Sequence, residues 1–234
     1  MIAWNTRPVV SIVIPAYNEE KNITGLLERT CRAVESSSLP YEIIVVDDGS
    51  NDKTRELALQ HKTLVLWNKE NRGKGSALRK GIAHAQGEII VTMDADGSHD
   101  PEEIPKLMQP MLEGATIALG TRFSADGGKK STKTLNLLGN GIINLSIFMM
   151  TGKRVTDSQC GFRAIKRDFL KKIKIVSDGF EVETELLLKA LKNGNIVREV
   201  SLNVSKRKNG HSHINPLSDG LKIMRTVLKA NLLD

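Results

Sequence analysis

The stretch Glu88-Ile-Ile-Val-Thr-Met-Asp-Ala-Asp-Gly-Ser-His-Asp-Pro (88–101) decides the reading of this chain. Residues 88–93 read as a strand, nearly all apolar or β-branched, as a strand buried on both faces requires. Asp94 and Asp96 follow where that strand ends, one residue apart, so both carboxylates can turn toward one point. Pro101 then suits the first turn of a helix predicted to run to about Glu113.

The same unit recurs to either side. Val9–Pro15 is a β-branched run, followed by Tyr17-Asn18-Glu19 and an amphipathic helix from Glu19 to about Ser36. On that helix Ile23, Leu26, Leu27, Thr30, Cys31 and Val34 share one face. Tyr41–Val46 is the next strand and ends in Asp47-Asp48-Gly49-Ser50, with Asn51-Asp52 placed to cap a helix to about His61. Further strands are expected at Thr63–Trp67 and Ala115–Thr121, with a helix at Gly73–Ala85 that opens in a Gly-Lys-Gly turn. Strands alternating with helices of this length predict an α/β fold with a mainly parallel sheet covered on both faces. Ligands of such sheets sit at the carboxyl ends of the strands. Glu19, Asp47, Asp48, Asp94, Asp96 and Arg122 all fall at those ends.

After residue 121 the rhythm changes. Ser124–Thr132 is a Gly/Lys/Ser-rich loop and Leu135–Met150 an apolar helix. Residues 160–166 hold a short strand or turn, Glu181–Lys192 a helix, Ile196–Val204 a strand, Lys206–Asn215 a basic loop, and Pro216–Leu233 a closing amphipathic helix. With no linker or internal repeat, the 234 residues are expected to form one domain, with a front half, 1–122, and a back half, 123–234.

Composition narrows the function. Residues 1–120 carry 13 Lys+Arg against 17 Asp+Glu, whereas residues 121–234 carry 21 against 10, within a net charge of +7. A basic half is suited to nucleic acid, an anionic membrane or a phosphorylated ligand. Aromatic residues make up only 4% of the chain, too few for a base-stacking platform, which argues against nucleic acid. Cys31 and Cys160 make no disulfide framework. Neither a signal peptide nor a spanning segment is evident, so a membrane role would be peripheral or would use an anchoring partner.

The Asp-Ala-Asp pair offers hard oxygen ligands suited to Mg²⁺ or Mn²⁺ on a nucleotide's phosphates. Asp47-Asp48 reads either as turn chemistry or as an acceptor for a base or ribose. His99 reads as a polar residue near the next helix, or as a metal ligand if partners for it come together. Asp157 is either a spare carboxylate, to act as base or position an acceptor, or the cap of a turn. Arg163, Lys166 and Arg167 are candidates to hold a lipid phosphate, against a plain reading as surface.

Taken together, VSIVIPAYNEEKNI (10–23), YEIIVVDDGSNDKT (41–54), NRGKGSALRKGIAHAQGEIIVTMDADGSHDPEEIP (71–105), GTRF (120–123), TDSQCGFRAIKR (156–167), GFEVETELLLKA (179–190) and RKNGHSH (207–213) cover nearly the whole chain. In content and order they resemble the family 2 glycosyltransferases of GT-A fold, and most nearly their polyprenyl-phosphate branch. That resemblance implies an inverting transfer of a sugar from GDP-mannose, UDP-glucose or UDP-N-acetylglucosamine to a polyprenyl (dolichyl) phosphate. The work would be done peripherally at the cytoplasmic face of a membrane. It implies nucleotide contacts at Pro15, Tyr17, Glu19, Val46, Asp48, Asp94, Ala95, Arg122, Arg207 and His213, a metal at Asp94 and Asp96, and catalytic roles for Asp96, Asp157, Arg122 and Arg207. The chain departs from the family twice. His213 replaces a Lys, making a permanent charge conditional on pH. Gly97-Ser98-His99 lacks a Gln that ligates metal in relatives, leaving that place to Ser98 or water. Transfer to a saccharide or protein hydroxyl, which would need a general base, and a nucleotide-sugar-binding module without turnover are the alternatives.

Overall fold

The computed structural model describes residues 8–36, 39–122, 134–203, 207, 209–210 and 216–229, with side chains from 139 in the third of these ranges onward and from 218 in the last. Seven strands form one sheet: β1 (Val10–Ala16), β2 (Tyr41–Asp47), β3 (Leu64–Trp67), β4 (Ile89–Thr92), β5 (Ile117–Thr121), β6 (Arg163–Lys166) and β7 (Val197–Ser201). Among the described residues eight α-helices accompany them, besides a 3-10 turn at Pro101–Glu103: α1 (Ile23–Glu35), α2 (Thr54–Ala58), α3 (Lys74–His84), α4 (Ile104–Leu112), α5 (Thr134–Thr151), α6 (Arg167–Lys172), α7 (Val182–Lys192) and α8 (Pro216–Lys229).

The sheet order is β3-β2-β1-β4-β6-β5-β7. β1 pairs parallel with β2 and β4, β2 with β3, and β5 with β7. β6 runs antiparallel between β4 and β5. The predicted mainly parallel α/β sheet is therefore present, with one reversed strand inside it. That reversal is invisible in a four-residue strand, whose direction is set by its neighbours rather than by its own pattern. Strands on both sides of residue 122 share this sheet.

Both faces are apolar. Ile12, Ile14, Ile43, Val45, Val91 and Met93 pack with Ile23, Leu27 and Leu107 on one side. Val13, Ile44, Val46, Ile90 and Ile165 pack with Ala77, Leu78 and Leu186 on the other. Each such side chain contributes roughly 1.5–3 kcal/mol when fully buried. α3 lies very close to the sheet because Gly81 faces it: a Cβ there would come within 2.4 Å of Val13 Cγ1. The face expected for α1 is buried except at Cys31, which is only partly covered, and Ala33 joins it. α1 starts at Ile23 rather than at Glu19, and α2 stops at Ala58. α6 was missed: six residues are too short to show a period. Among the described residues no helix is long and apolar enough to cross a membrane.

Candidate active site

Parallel strands leave their carboxyl ends at a common edge, and β1 and β2 end in register there, Ala16 opposite Asp47. Asp94 leaves β4 at the same edge. Its carboxylate does not stand open: Lys74, the first residue of α3, places its Nζ 2.5 Å from Asp94 Oδ1 and 2.6 Å from Glu183 Oε1 of α7. Burial acts to raise the Asp94 pKa, but the Lys74 ammonium outweighs it, with His99 and Arg122 in support, and the carboxyl is held at about 2. Burial likewise opposes charge on Lys74, yet Asp94 and Glu183 together lift its pKa above the ordinary lysine value.

Asp96 is differently placed. It is half-buried, and Oδ1 accepts the Ser98 N–H at 2.9 Å. His99 is a core residue, 4% exposed, stacked on Phe162 with centroids 5.1 Å apart. Its Nδ1 accepts the Asp94 N–H at 3.2 Å and so braces the Asp94 backbone; burial lowers its pKa against the pull of Asp94 and Asp96. The reading of His99 as a polar residue near the next helix stands, with the Asp94 backbone as its partner.

The two aspartates after β2 divide their work. Asp47 Oδ1 accepts the Ser50 N–H at 3.3 Å, which is turn chemistry. Helix α2 takes its local bond from Asp52, whose Oδ1 accepts the Thr54 N–H at 2.9 Å. Asp48 is 3% exposed and accepts from Asn68 Nδ2 (2.7 Å), Arg72 N–H and Gly73 N–H (2.7 Å). It thereby pins the loop that leads into α3. Pro15 and Tyr17 are part-buried at the end of β1. Of the nucleotide contacts implied by the resemblance, Val46, 0% exposed and part of the core, offers no exposed side chain, and neither do Ala95 and Asp48, at 3% each.

Glu19 is held by Asn22 Nδ2 at 2.6 Å and forms an ion pair with Arg207. Burial raises its pKa, with Asn22 and Arg207 pulling the other way and Asp96 adding to the rise. Asp96 is thus within electrostatic reach of Glu19. Asn209 ties this segment to α1, its Nδ2 donating to Asn22 Oδ1 at 3.0 Å. A cavity of about 120 Å³ lies between the start of α1, Gly97 and Asn209. A larger one, about 220 Å³, sits at the opposite edge of the sheet between Val10, Tyr41, Met108 and Leu112; its apolar walls offer nothing to a phosphate. His213 and the loop 124–132 lie outside the described residues.

Arg122 and Asp157 meet in a bidentate pair, Nε to Oδ2 at 2.6 Å and Nη2 to Oδ1 at 2.7 Å. Asp157 is 0% exposed and also accepts from Asn140 Nδ2 at 3.1 Å. It neither caps the following turn with its side chain nor stands free as a base; it holds Arg122.

Of the three cations read as surface or as phosphate holders, Arg163 is neither, and Lys166 and Arg167 fit the surface reading. Arg163 is 1% exposed and donates to the carbonyls of Cys160, Glu183 and Ser158 at 2.6–2.7 Å. Lys166 and Arg167 donate to the Gly114 and Gln86 carbonyls, ahead of the amino ends of β5 and β4 respectively, because β6 runs the other way. The sequence reading also missed Lys74 and Glu183 as members of the site. The one signal was Lys74 itself, a cation between two glycines at a helix start.

Asp96, with Asp94 beside it, fits a hard divalent cation: carboxylate oxygens at a partly open edge are the right donors. No group of three or more acidic, His or Cys side chains suited to a metal occurs among the described residues, so remaining ligands would have to come from the donor's diphosphate and water.

The family model described as glycosyl transferase family 2 matches residues 11–174. The chain is 34% identical over 212 residues to a dolichol-phosphate mannosyltransferase of Pyrococcus furiosus, covering 88% of this chain and 59% of that protein. It is 38% identical over 165 residues to an undecaprenyl-phosphate 4-deoxy-4-formamido-L-arabinose transferase of Pectobacterium atrosepticum, covering 68% and 49%. The chain thus spans only about half to three-fifths of the length of these two relatives. A glucosyl-3-phosphoglycerate synthase of Mycobacterium tuberculosis, solved with Mn²⁺, UDP and phosphoglyceric acid, superposes with a TM-score of 0.76 at 23% identity, over 95% of this chain and 78% of the other. That likeness establishes the GT-A fold.

Proposed function

This chain belongs to glycosyl transferase family 2, and from that premise we propose that it moves a sugar from a nucleoside diphosphate sugar to a polyprenyl phosphate. The carrying observation is a pair of half-buried carboxylates at the end of β4: Asp94 paired with Lys74, and Asp96 without an ion pair among the described residues, within electrostatic reach of the Glu19–Arg207 pair. The relatives named for dolichol and undecaprenyl phosphate support the acceptor.

In this reading the nucleotide lies along the ends of β1, β2 and β4, with Tyr17 and Glu19 toward base and ribose and Asp48 fixing the adjoining loop. Asp96, beside the Lys74-paired Asp94, would hold Mg²⁺ or Mn²⁺, whose positive charge would stabilise the diphosphate leaving group. Arg207 and Arg122 add cationic hydrogen-bond donors at the same edge. The acceptor phosphate oxygen attacks the anomeric carbon as the bond to the nucleoside diphosphate breaks, inverting the configuration. A phosphate monoester is already an anion at neutral pH, so no strong base is called for. Asp157, enclosed by Arg122 and Asn140, fits that better than it fits activation of a hydroxyl acceptor.

The acceptor is lipid-borne, and two helices packed on one another provide for it. α5 exposes Ile142, Leu145 and Met149; α8 exposes Leu221 and Leu228 among Lys222, Arg225 and Lys229. Apolar side chains set among cations suit the surface of an anionic membrane, on its cytoplasmic face. Isothermal titration with UDP- and GDP-sugars, with and without Mn²⁺, tests the donor half. Binding of one class identifies it; no binding of any nucleotide sugar with Mn²⁺ present sinks the reading.

A further inference from the structure

Lys74 is a lysine with no path to be mere surface. Its side chain is 12% exposed and lies between two carboxylates, with the Phe180 ring centroid 5.9 Å away. Its main chain is equally constrained. Ser76 N–H donates to the Asp178 carbonyl at 3.1 Å, and Arg79 binds both the Ser177 carbonyl and Asp178. The segment before α7 therefore clamps the first turn of α3, and fixes where Lys74 starts from.

Glu183 completes the cluster. It is 4% exposed, and among the described residues its carboxylate has no hydrogen-bond donor besides its ion-pair partner, the Lys74 ammonium. A buried carboxylate without other donors is costly unless its counterion is fixed. Gly161 closes the remaining side. A Cβ there would stand 2.7 Å from Lys74 Nζ and 3.0 Å from each Asp94 carboxylate oxygen. Gly161 is itself held, its carbonyl accepting from Thr92 Oγ1 of β4 at 2.7 Å. Space for the ammonium and for Asp94 has thus been left by the absence of a side chain.

We propose that Lys74, seated on Glu183 under Gly161, is a positioning residue that fixes the Asp94 carboxylate. It makes the two aspartates unequal: both are half-buried, but Asp94 is tied to the protein's own cation, whereas Asp96 has no ion pair among the described residues and is left to an incoming cation and diphosphate. Lys74 acts through Asp94 and does not touch the donor. This rests on the donor-site reading above.

A double-mutant cycle read by nucleotide affinity tests it, with UDP and GDP in the presence of Mn²⁺ as probes in calorimetry. Lys74→Met and Asp94→Asn are each expected to weaken binding by about 10- to 100-fold, and the double variant no more than the weaker single one, since groups acting as a unit are non-additive. Gly161→Ala, which keeps every charge, is expected to cost about 10-fold and to lose that effect in the Asp94→Asn background. Wild-type affinity in Lys74→Met, or losses that multiply in the double variant, would overturn the proposal. A purely structural role for Lys74 would lower thermal stability without that coupling. If Lys74→Met does not fold, Glu183→Gln and Gly161→Ala carry the same cycle, with the same criterion. A wild-type chain that binds neither UDP nor GDP defeats the donor-site reading, and this proposal with it; a wild-type chain that binds, with multiplying losses, defeats this proposal alone.

Discussion

Lys74 and Arg163 are two cations shut into one neighbourhood, and Glu183 touches both. Its backbone carbonyl accepts from Arg163 at 2.6 Å, and its carboxylate faces Lys74 at the same distance. Burial disfavours the charged form of each. The net outcome is opposite: the Lys74 pKa is raised and the Arg163 pKa lowered. The difference lies in the partners. Arg163 is held by three carbonyl dipoles, which position a guanidinium without neutralising it. Lys74 is held by two carboxylates, one of which belongs to the site. A cation fastened to carbonyls ties the chain together; a cation fastened to a site carboxylate sets that carboxylate's direction.

The sharpest way to break this comparison is Arg163→Met. It leaves the Cys160, Ser158 and Glu183 carbonyls without their donor inside the core, and is expected to cost about 3–5 kcal/mol of stability. Urea unfolding measures it. The nucleotide affinity of whatever remains folded should stay within a few-fold of wild type. A stability loss below about 1 kcal/mol with affinity gone would place Arg163 in the site instead.

Asp96→Asn should do the reverse. Sugar transfer is expected to fall by about 100- to 1,000-fold, with stability changed by less than about 0.5 kcal/mol. Steady-state rates beside a thermal melt decide it, and an unimpaired rate would remove Asp96 from the mechanism. Arg207→Ala is expected to have a smaller effect, raising the donor KM by about 10-fold, because it removes a charge-assisted contact with Glu19 at the site's rim. An unchanged KM would confine Arg207 to local structure.

The smallest effect concerns Glu185, which holds the segment before α7. It accepts the Val176 N–H at 2.9 Å and the Ser177 N–H at 2.8 Å, and pairs with Lys189 at 2.6 Å. Burial pushes its pKa up, but Lys189 and these N–H groups prevail and hold it below the ordinary value of 4.5. A carboxyl lowered on folding stabilises fully above its unfolded pKa, and that contribution fades as pH falls through the folded one. Glu185→Gln should therefore flatten the acid side of the stability profile below about pH 4.5, by roughly 1 kcal/mol. An identical acid limb would contradict this.

The ends of β1, β2 and β4 were legible because apolar runs closing in Tyr17-Asn18-Glu19, Asp47-Asp48 and Asp94-Ala95-Asp96 mark both a parallel sheet and its ligand edge. Side-chain partnerships were not. Nothing local in Gly73-Lys74-Gly75 points to Glu183, 109 positions away, and nothing in Cys160-Gly161-Phe162-Arg163 says that the arginine faces inward. Lys166 and Arg167 could not be placed for the same reason: the direction of β6 is settled by pairing with β4 and β5. Asp157 looked spare because its partner, Arg122, lies across the sheet edge rather than nearby in sequence.

Transfer itself bears most directly on the account. Donors carrying a radiolabelled sugar, UDP- and GDP-linked, are incubated with Mn²⁺ and either dolichyl or undecaprenyl phosphate, or the corresponding phosphate-free alcohols, and the lipid is extracted. The account predicts label in the organic phase with the lipid phosphates alone, lost with Asp96→Asn. No label from any donor, or equal label on the phosphate-free alcohols, would contradict it.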